Sequence, residues 1–280
     1  MNRIKGILYA AVSSSTFGLA PFFSITLLLA GFSAFEVLSY RWGVASIVLI
    51  VFGWLSGCNF RLAGKDWGVV FLLSLLRAVT SFSLIIAYQN IASGVASTIH
   101  FMYPLAVALA MMFFFREKKS LLVILAVLMS LLGAALLSLG ELEAKSGNTM
   151  VGLVAACVSV FSYAGYIVGV RTTRAVQINS TALTCYVMGL GTIFYLIGAY
   201  CTSGLQLVSD GYTWLIILGL ALPATAISNI TLVQAIKYAG PTLTSILGAM
   251  EPLTAVVIGV FVFKELFTVN LSLIHISEPT

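Results

Sequence analysis

Asn90 to Glu117 reads NIASGVASTIHFMYPLAVALAMMFFFRE, and Tyr238 to Glu265 reads YAGPTLTSILGAMEPLTAVVIGVFVFKE. Laid together without a gap, at an offset of 148 residues, Ser97 meets Ser245, Met102 meets Met250, Pro104 meets Pro252 and Leu105 meets Leu253. Phe113 meets Phe261, Phe115 meets Phe263, and a basic-acidic pair, Arg116-Glu117 and Lys264-Glu265, closes both stretches. Each is an apolar run long enough to cross a bilayer, with proline at its centre. A membrane helix written twice predicts two homologous halves around a shared site, the plan of many secondary transporters.

The composition agrees with a lipid solvent. Hydrophobic residues make up 60% of the chain, charged residues 8%, and the mean hydropathy is +1.09. A soluble domain carries about a quarter charged residues to cover its core, which this chain cannot do. The excess of 14 Lys and Arg over 9 Asp and Glu is therefore read by position, and implies no nucleic-acid partner. Cys58, Cys157, Cys185 and Cys201 are scattered without CxxC spacing, so neither a disulfide framework nor a metal site is expected. The apolar run Ile7 to Phe32 exceeds a signal-peptide core and reads as a retained first span.

Runs of about 20 apolar residues place spans near 4–29, 36–56, 67–90, 94–115, 120–139, 150–170, 180–201, 212–236 and 240–263. Helices are required, since backbone groups in lipid must be satisfied within the segment and no alternating barrel strands occur. With the N-terminus inside, Arg3, Lys5, Arg61, Lys65, Arg116, Lys118, Lys119, Arg171, Arg174 and Lys237 fall on the cytoplasmic side. Only Lys145 and Lys264 fall outside, and Arg41 and Arg77 lie within spans. That bias fixes the expected orientation. Five spans in the first half invert the second, so the fold class is an all-α polytopic membrane bundle of two inverted five-helix repeats. The expected units are 1–139, a linker 140–149, and 150–268 with its last helix missing. The decapeptide Leu271 to Thr280, LSLIHISEPT, resembles translated sequencing-adapter DNA, so 269–280 is expected to be a non-native tail outside the fold.

Four ionisable side chains fall within spans: Arg41, Arg77, His100 and Glu251. A charge at the bilayer centre costs ~2.5–3.5 kcal/mol on insertion scales, so each needs a partner or a wet cavity. Arg77 and Glu251 have opposite sign and similar depth, which predicts a pair that opens to substrate or stays locked as structure. Glu251 is also a candidate proton carrier. His100 either bonds substrate or bonds a neighbouring helix. Arg41 either lines an outer cavity or snorkels and pairs with Glu36. Tyr103 and Asn229 are further polar cavity candidates, with Tyr163 and Tyr166 weaker ones. Pro104 and Pro252 each remove one helix hydrogen bond in mid-membrane, which suits a hinge. Gly165 and Gly169 form a GxxxG expected to make a tight helix contact within the bundle. The sequons at Asn179 and Asn229 fall at the cytoplasmic side and inside a span, so neither is an expected acceptor. No Walker A, HExxH or nucleophile elbow is present, and no cofactor or enzymatic activity is expected.

These features together resemble the drug/metabolite transporter superfamily, in particular proteins with two EamA-type repeats. The opening helix carries SSSTFGLAPFF at Ser13 to Phe23, with Phe17 where the family has tryptophan before Gly18; the second span carries Arg41 in YRWGVAS. Pro104 with Glu117 and Pro252 with Glu265 match the family's proline helix. The resemblance covers 4–268 and implies ten spans, of which one is missing here. It implies movement of amino acids, amines, nucleosides or other small metabolites, by an integral protein of the bacterial inner (plasma) membrane. The expected function is a secondary transporter, read as an exporter, with proton coupling open. Its partners are a small-molecule substrate and membrane lipid, and a homodimer is left open. A flippase of lipid-linked substrates is the alternative within transport, and a non-transporting scaffold or receptor subunit the alternative outside it.

Overall fold

The computed structural model describes residues 2–117, 125, 147–202, 204–248 and 250–251. The described part is all helical: α1 (Asn2–Phe17), α2 (Ala20–Leu29), α3 (Ala34–Leu55), α4 (Trp67–Asn90), α5 (Ser93–His100), α6 (Tyr103–Phe114), α7 (Thr149–Thr172), α8 (Ser180–Cys201), α9 (Gly211–Ala221), α10 (Ser228–Ala239) and α11 (Pro241–Leu247). A π-helical turn, Leu222–Ile227, joins α9 to α10. Among the described residues, seven stretches are long and apolar enough to cross a membrane: Arg3–Leu29, Ala34–Leu55, Gly64–Asn90, Ser93–Phe114, Thr149–Thr172, Ser180–Cys201 and Gly211–Ala239. They match the expected first four and sixth to eighth spans. The fifth span at 120–139, most of the linker, Pro252 with the rest of the ninth span, and the tail at 269–280 lie outside the described residues.

Helix ends follow local chemistry. Ser33 and Glu36 form a capping box at the start of α3, with Ser33 N–H donating to Glu36 Oε2 at 2.8 Å. Asn148 caps α7, Asn179 caps α8 and Asp210 caps α9. Asp210 lies outside the spans, and the Thr213 N–H that it accepts holds its carboxyl below the ordinary carboxylate range. Glu36 is committed to Ser33 and to Gln206 N–H, at 2.6 Å, so it does not serve as a partner for Arg41.

The bundle is inside-out relative to a soluble protein. Trp54, Phe114, Phe161 and Tyr200 are exposed, whereas serines and threonines such as Ser74, Thr80, Ser159, Thr184 and Thr225 are buried. Buried hydroxyls bond backbone carbonyls within or between helices. Ser13 donates to Ser228 O, Ser74 to Val187 O, and Thr80 to Ser162 Oγ, at 2.8–2.9 Å. Three pairings dominate the packing: α4 on α7, α1 on α10, and α3 on α8. Small residues permit them. A Cβ on Gly169 would stand 2.8 Å from Leu73, one on Gly165 would stand 3.5 Å from Leu76, and one on Gly191 would overlap Trp42. The GxxxG of α7 is thus a seat for α4.

The connections sort to two ends as alternating spans require. At one end Arg174 Nε pairs with Asp66 Oδ1 at 3.1 Å, Arg171 donates to Lys237 O at 3.0 Å, and Thr242 donates to Glu117 Oε2 at 2.6 Å. At the other, Tyr40 donates to Gln206 O and Asn148 N–H donates to Asn90 Oδ1.

Candidate functional site

Among the described residues the first, fourth and eighth spans each carry a break with a proline beside it. The first span turns at Gly18-Leu19 before Pro21, the fourth at Phe101-Met102 before Pro104, and the eighth at the π-turn containing Pro223. A proline withholds the N–H that would bond the carbonyl four residues earlier, which is Phe17 for Pro21 and His100 for Pro104. The fourth span is the one in which the sequence predicts a break, at Pro104; the first and eighth are predicted as continuous helices. The site lies among these breaks.

Its centre is Arg77 on α4, 2% exposed. Its Nε donates to Asn229 Oδ1 at 3.1 Å, and Asn229 Nδ2 donates to Thr225 O at 2.7 Å. Arg41 on α3 donates from Nε to Thr225 Oγ1 at 2.6 Å and from Nη2 to Ala224 O at 3.4 Å. Thr225 in turn donates to Leu220 O at 2.8 Å. The π-turn thus supplies the oxygens that orient Arg41, and through Thr225 O it holds the Asn229 amide that orients Arg77. Aromatic rings line the guanidinium of Arg77, whose Cζ lies 5.3 Å from the centroid of Phe17, 4.8 Å from that of Tyr163 and 5.8 Å from that of Tyr166. Arg41 Cζ stands 5.5 Å from the same Phe17 ring. Such cation–π contacts lower the cost of keeping a guanidinium out of water.

Arg77 and Glu251 form no ion pair; among the described residues the one that forms is Arg174 with Asp66. Glu251 Oε1 instead accepts from Tyr103 Oη at 3.4 Å. The Tyr163 ring stands between the two groups, edge-on to Tyr103 at 4.6 Å and against Arg77 on its other contact. Tyr163 also stacks on His100 at 5.4 Å. Ser159 Oγ lies 2.9 Å from His100 Nδ1 and donates its own proton to Ala156 O at 2.6 Å. With its proton directed to Ala156 O, Ser159 Oγ accepts from the ring, an arrangement that puts the His100 proton on Nδ1 and a lone pair on Nε2. That Nε2 is buried without a hydrogen-bond partner among the described residues.

A cavity of ≈20 Å³, room for about one water molecule, lies between Arg41, Arg77 and His100, with Phe17, Ser24, Thr80 and Ser81 also on its wall. Of the residues singled out in the sequence, Arg41, Arg77 and His100 meet there. Asn229 sits behind Arg77 as its support, and Tyr103 with Glu251 forms a second polar group beyond Tyr163. Pro104 starts α6 at the break; Pro252 is outside the described residues. Phe17, Tyr163 and Thr225 are more central than the sequence suggested. Phe17 was visible as the departure within SSSTFGLAPFF. Tyr163 and Tyr166 share a face of α7 at helical spacing, a signal that ordinary aromatic filler also gives. Among the described residues, no three His, Cys, Asp or Glu side chains come together that could hold a metal ion.

Apolar exterior, buried hydroxyls and broken spans around a cationic cavity define a polytopic helical membrane protein. The chain belongs to the EamA-like transporter family, whose model matches residues 4–139 and 150–274. It is accordingly an integral membrane protein and a transporter of the drug/metabolite superfamily. A solved structure, titled only as the crystal structure of a protein, is similar at a TM-score of 0.77 and 17% identity, covering 99% of this chain and 93% of that one. At that identity the likeness shows the fold alone. No curated protein matches the chain.

Proposed function

We propose that the chain is a secondary transporter of small metabolites such as amino acids or amines, read as an exporter, working by alternating access about the cavity of Arg41, Arg77 and His100. The observation that carries this reading is a buried cavity holding two arginines, walled by the broken first span and by His100 at the break of the fourth, with the π-turn of the eighth span fixing Arg41 from behind. Broken helices are tolerated in a membrane where they line such a cavity, and they place substrate sites near the midplane of inverted-repeat transporters. The cavity is nearly closed in this conformation, so a metabolite enters only as the helices part. No cofactor or catalytic residue takes part.

The inverted repeat has support in the described residues. α5 begins at Ser93 and α11 at Pro241, 148 residues on, and both helices stop where the pattern repeats, at His100 and Leu247-Gly248. Tyr103 and Glu251, equivalent at that offset, are hydrogen-bonded to each other. Equivalent residues can touch only close to the axis that relates them. If the first span corresponds to the sixth, the second to the seventh and the third to the eighth, the pairing of α4 with α7 is the counterpart of α1 with α10. The pairing of α3 with α8 is its own counterpart.

In this reading the N-terminus faces the cytoplasm of a bacterial inner membrane, with Arg171, Arg174 and Lys237 at that face. Glu251, bonded to Tyr103, carries the exchanged proton if transport is coupled. Two buried arginines, with Ser24, Thr80 and Ser81 set among Phe17, Ala20, Leu84 and Ile85, suit a soluble polar metabolite better than a lipid tail. Untargeted metabolite profiling of cells with the gene, without it, and with Arg77→Ala tests the proposal. At least one small polar metabolite should change several-fold with wild type and not with the variant. Identical profiles in all three at matched membrane levels would overturn it.

A further inference from the structure

The charge balance of the cavity narrows the substrate class. Arg41 and Arg77 are both buried, share the Phe17 ring and line the same cavity. Neither has a carboxylate partner among the described residues. Glu251 is turned to Tyr103 across the Tyr163 ring, and Glu36 is consumed at the bundle end by Ser33 and Gln206. His100 presents a lone pair and adds no second acceptor charge.

Two guanidiniums facing one space with no carboxylate in ion-pair contact among the described residues are costly unless something negative joins them, because an unpaired buried charge is among the largest single penalties in a protein. The hydrogen-bond inventory shows where the partner goes. Arg77 spends only Nε, on Asn229, and leaves both terminal nitrogens uncommitted among the described residues; Arg41 spends Nε and Nη2 on the π-turn and leaves Nη1. These are the donors that bind carboxylate and phosphate with fork geometry. The supports are already in place: Asn229 and Thr225 fix both side chains from behind, so little ordering remains to be done on binding.

We propose that the cavity binds an oxyanion, a carboxylate or a phosphate, between Arg41 and Arg77, and that the transported metabolite is a net anion. The inference rests on the reading of this cavity as the transport site, and of the substrates named above it excludes simple amines and net-neutral amino acids, leaving acidic ones.

The test uses the purified full chain in detergent, with thermal unfolding followed as succinate, inorganic phosphate, glycine or ethylenediamine is added at matched ionic strength. Succinate or phosphate should raise the unfolding temperature saturably by about 3 °C or more, and whichever does so identifies the carboxylate or phosphate source. Arg41→Gln and Arg77→Gln should lose that response while their unliganded unfolding temperature stays level or rises, since like-charge repulsion is relieved. Arg171→Gln, at the bundle end, should keep it. If a Gln variant does not fold, the Lys variant decides: the charge stays but the fork is lost, and the half-saturating anion concentration should rise about 10-fold.

Stabilisation by ethylenediamine and not by the anions would overturn the proposal. So would an anion response unchanged in both arginine variants, or no response to either anion. Flux of the same probes in proteoliposomes separates this failure from that of the transport reading. Saturable flux of glycine or ethylenediamine with no anion binding keeps the transporter and loses the oxyanion. Anion binding without flux of any probe keeps the site and loses the transporter.

Discussion

The fourth and ninth spans carry nearly the same sentence and end it differently. Both begin a short helix at equivalent positions, Ser93 and Pro241, and both interrupt it one turn before the repeated proline position. At the interruption the fourth span has His100 and Tyr103, and the ninth has Gly248 and Glu251. The backbone repeats while the chemistry does not. Gly248 leaves the room that Tyr103 fills, for a Cβ there would lie 1.7 Å from Tyr103 Oη. Glu251 Oε1 then accepts a hydrogen bond from that hydroxyl. In the proposed inverted repeat, the two stretches build an asymmetric site, with an aromatic and imidazole wall from one and a carboxyl from the other.

The largest expected effect comes from removing the ring that separates the two sets of polar groups. Tyr163→Ala takes away contacts to Arg77, His100, Tyr103 and Tyr166 at once and should destabilise by about 3–5 kcal/mol. Size-exclusion recovery and thermal unfolding would report it; near-wild-type stability would show that the ring divides nothing. Gly248→Ala should cost about 1–3 kcal/mol by overpacking. Part of that should return when Tyr103→Ala is added, a non-additive pair that independent sites would not give.

How much of this was legible in the sequence follows the same division. Span positions, the alternating ends and the proline break at Pro104 were readable because hydropathy and proline act locally. The repeat was readable because it is literal. The partner of Arg77 was not. Arg77 and Glu251 have complementary charge and similar depth, but whether they meet depends on what stands between them, and Tyr163 is contributed by a helix that no local rule ties to either. The breaks at Gly18-Leu19 and at the π-turn were also passed over, although Pro21 and Pro223 mark them. The capping box of Ser33 and Glu36 was equally visible as S-x-x-E, and it would have removed Glu36 from the list of partners for Arg41.

Two smaller changes sharpen the contrast. Tyr103→Phe removes the bond that joins the two copies and should cost about 1 kcal/mol, seen as a modest fall in unfolding temperature; no fall would mean that the copies are held by packing alone. Ser159→Ala should cost about 1 kcal/mol or less and release the His100 tautomer, visible in ring ¹⁵N shifts as a population with the proton on Nε2. An unchanged tautomer would place the control of His100 elsewhere.

The central claim is that the broken spans enclose a transport site organised by Arg77. Flux of a metabolite identified by profiling, measured in proteoliposomes that hold equal amounts of inserted wild type, Arg77→Gln and Arg171→Gln, tests it most directly. The account predicts saturable flux for wild type and Arg171→Gln, and a loss of at least about 10-fold for Arg77→Gln, the weight of a single charge-assisted contact. Equal flux through all three would contradict it.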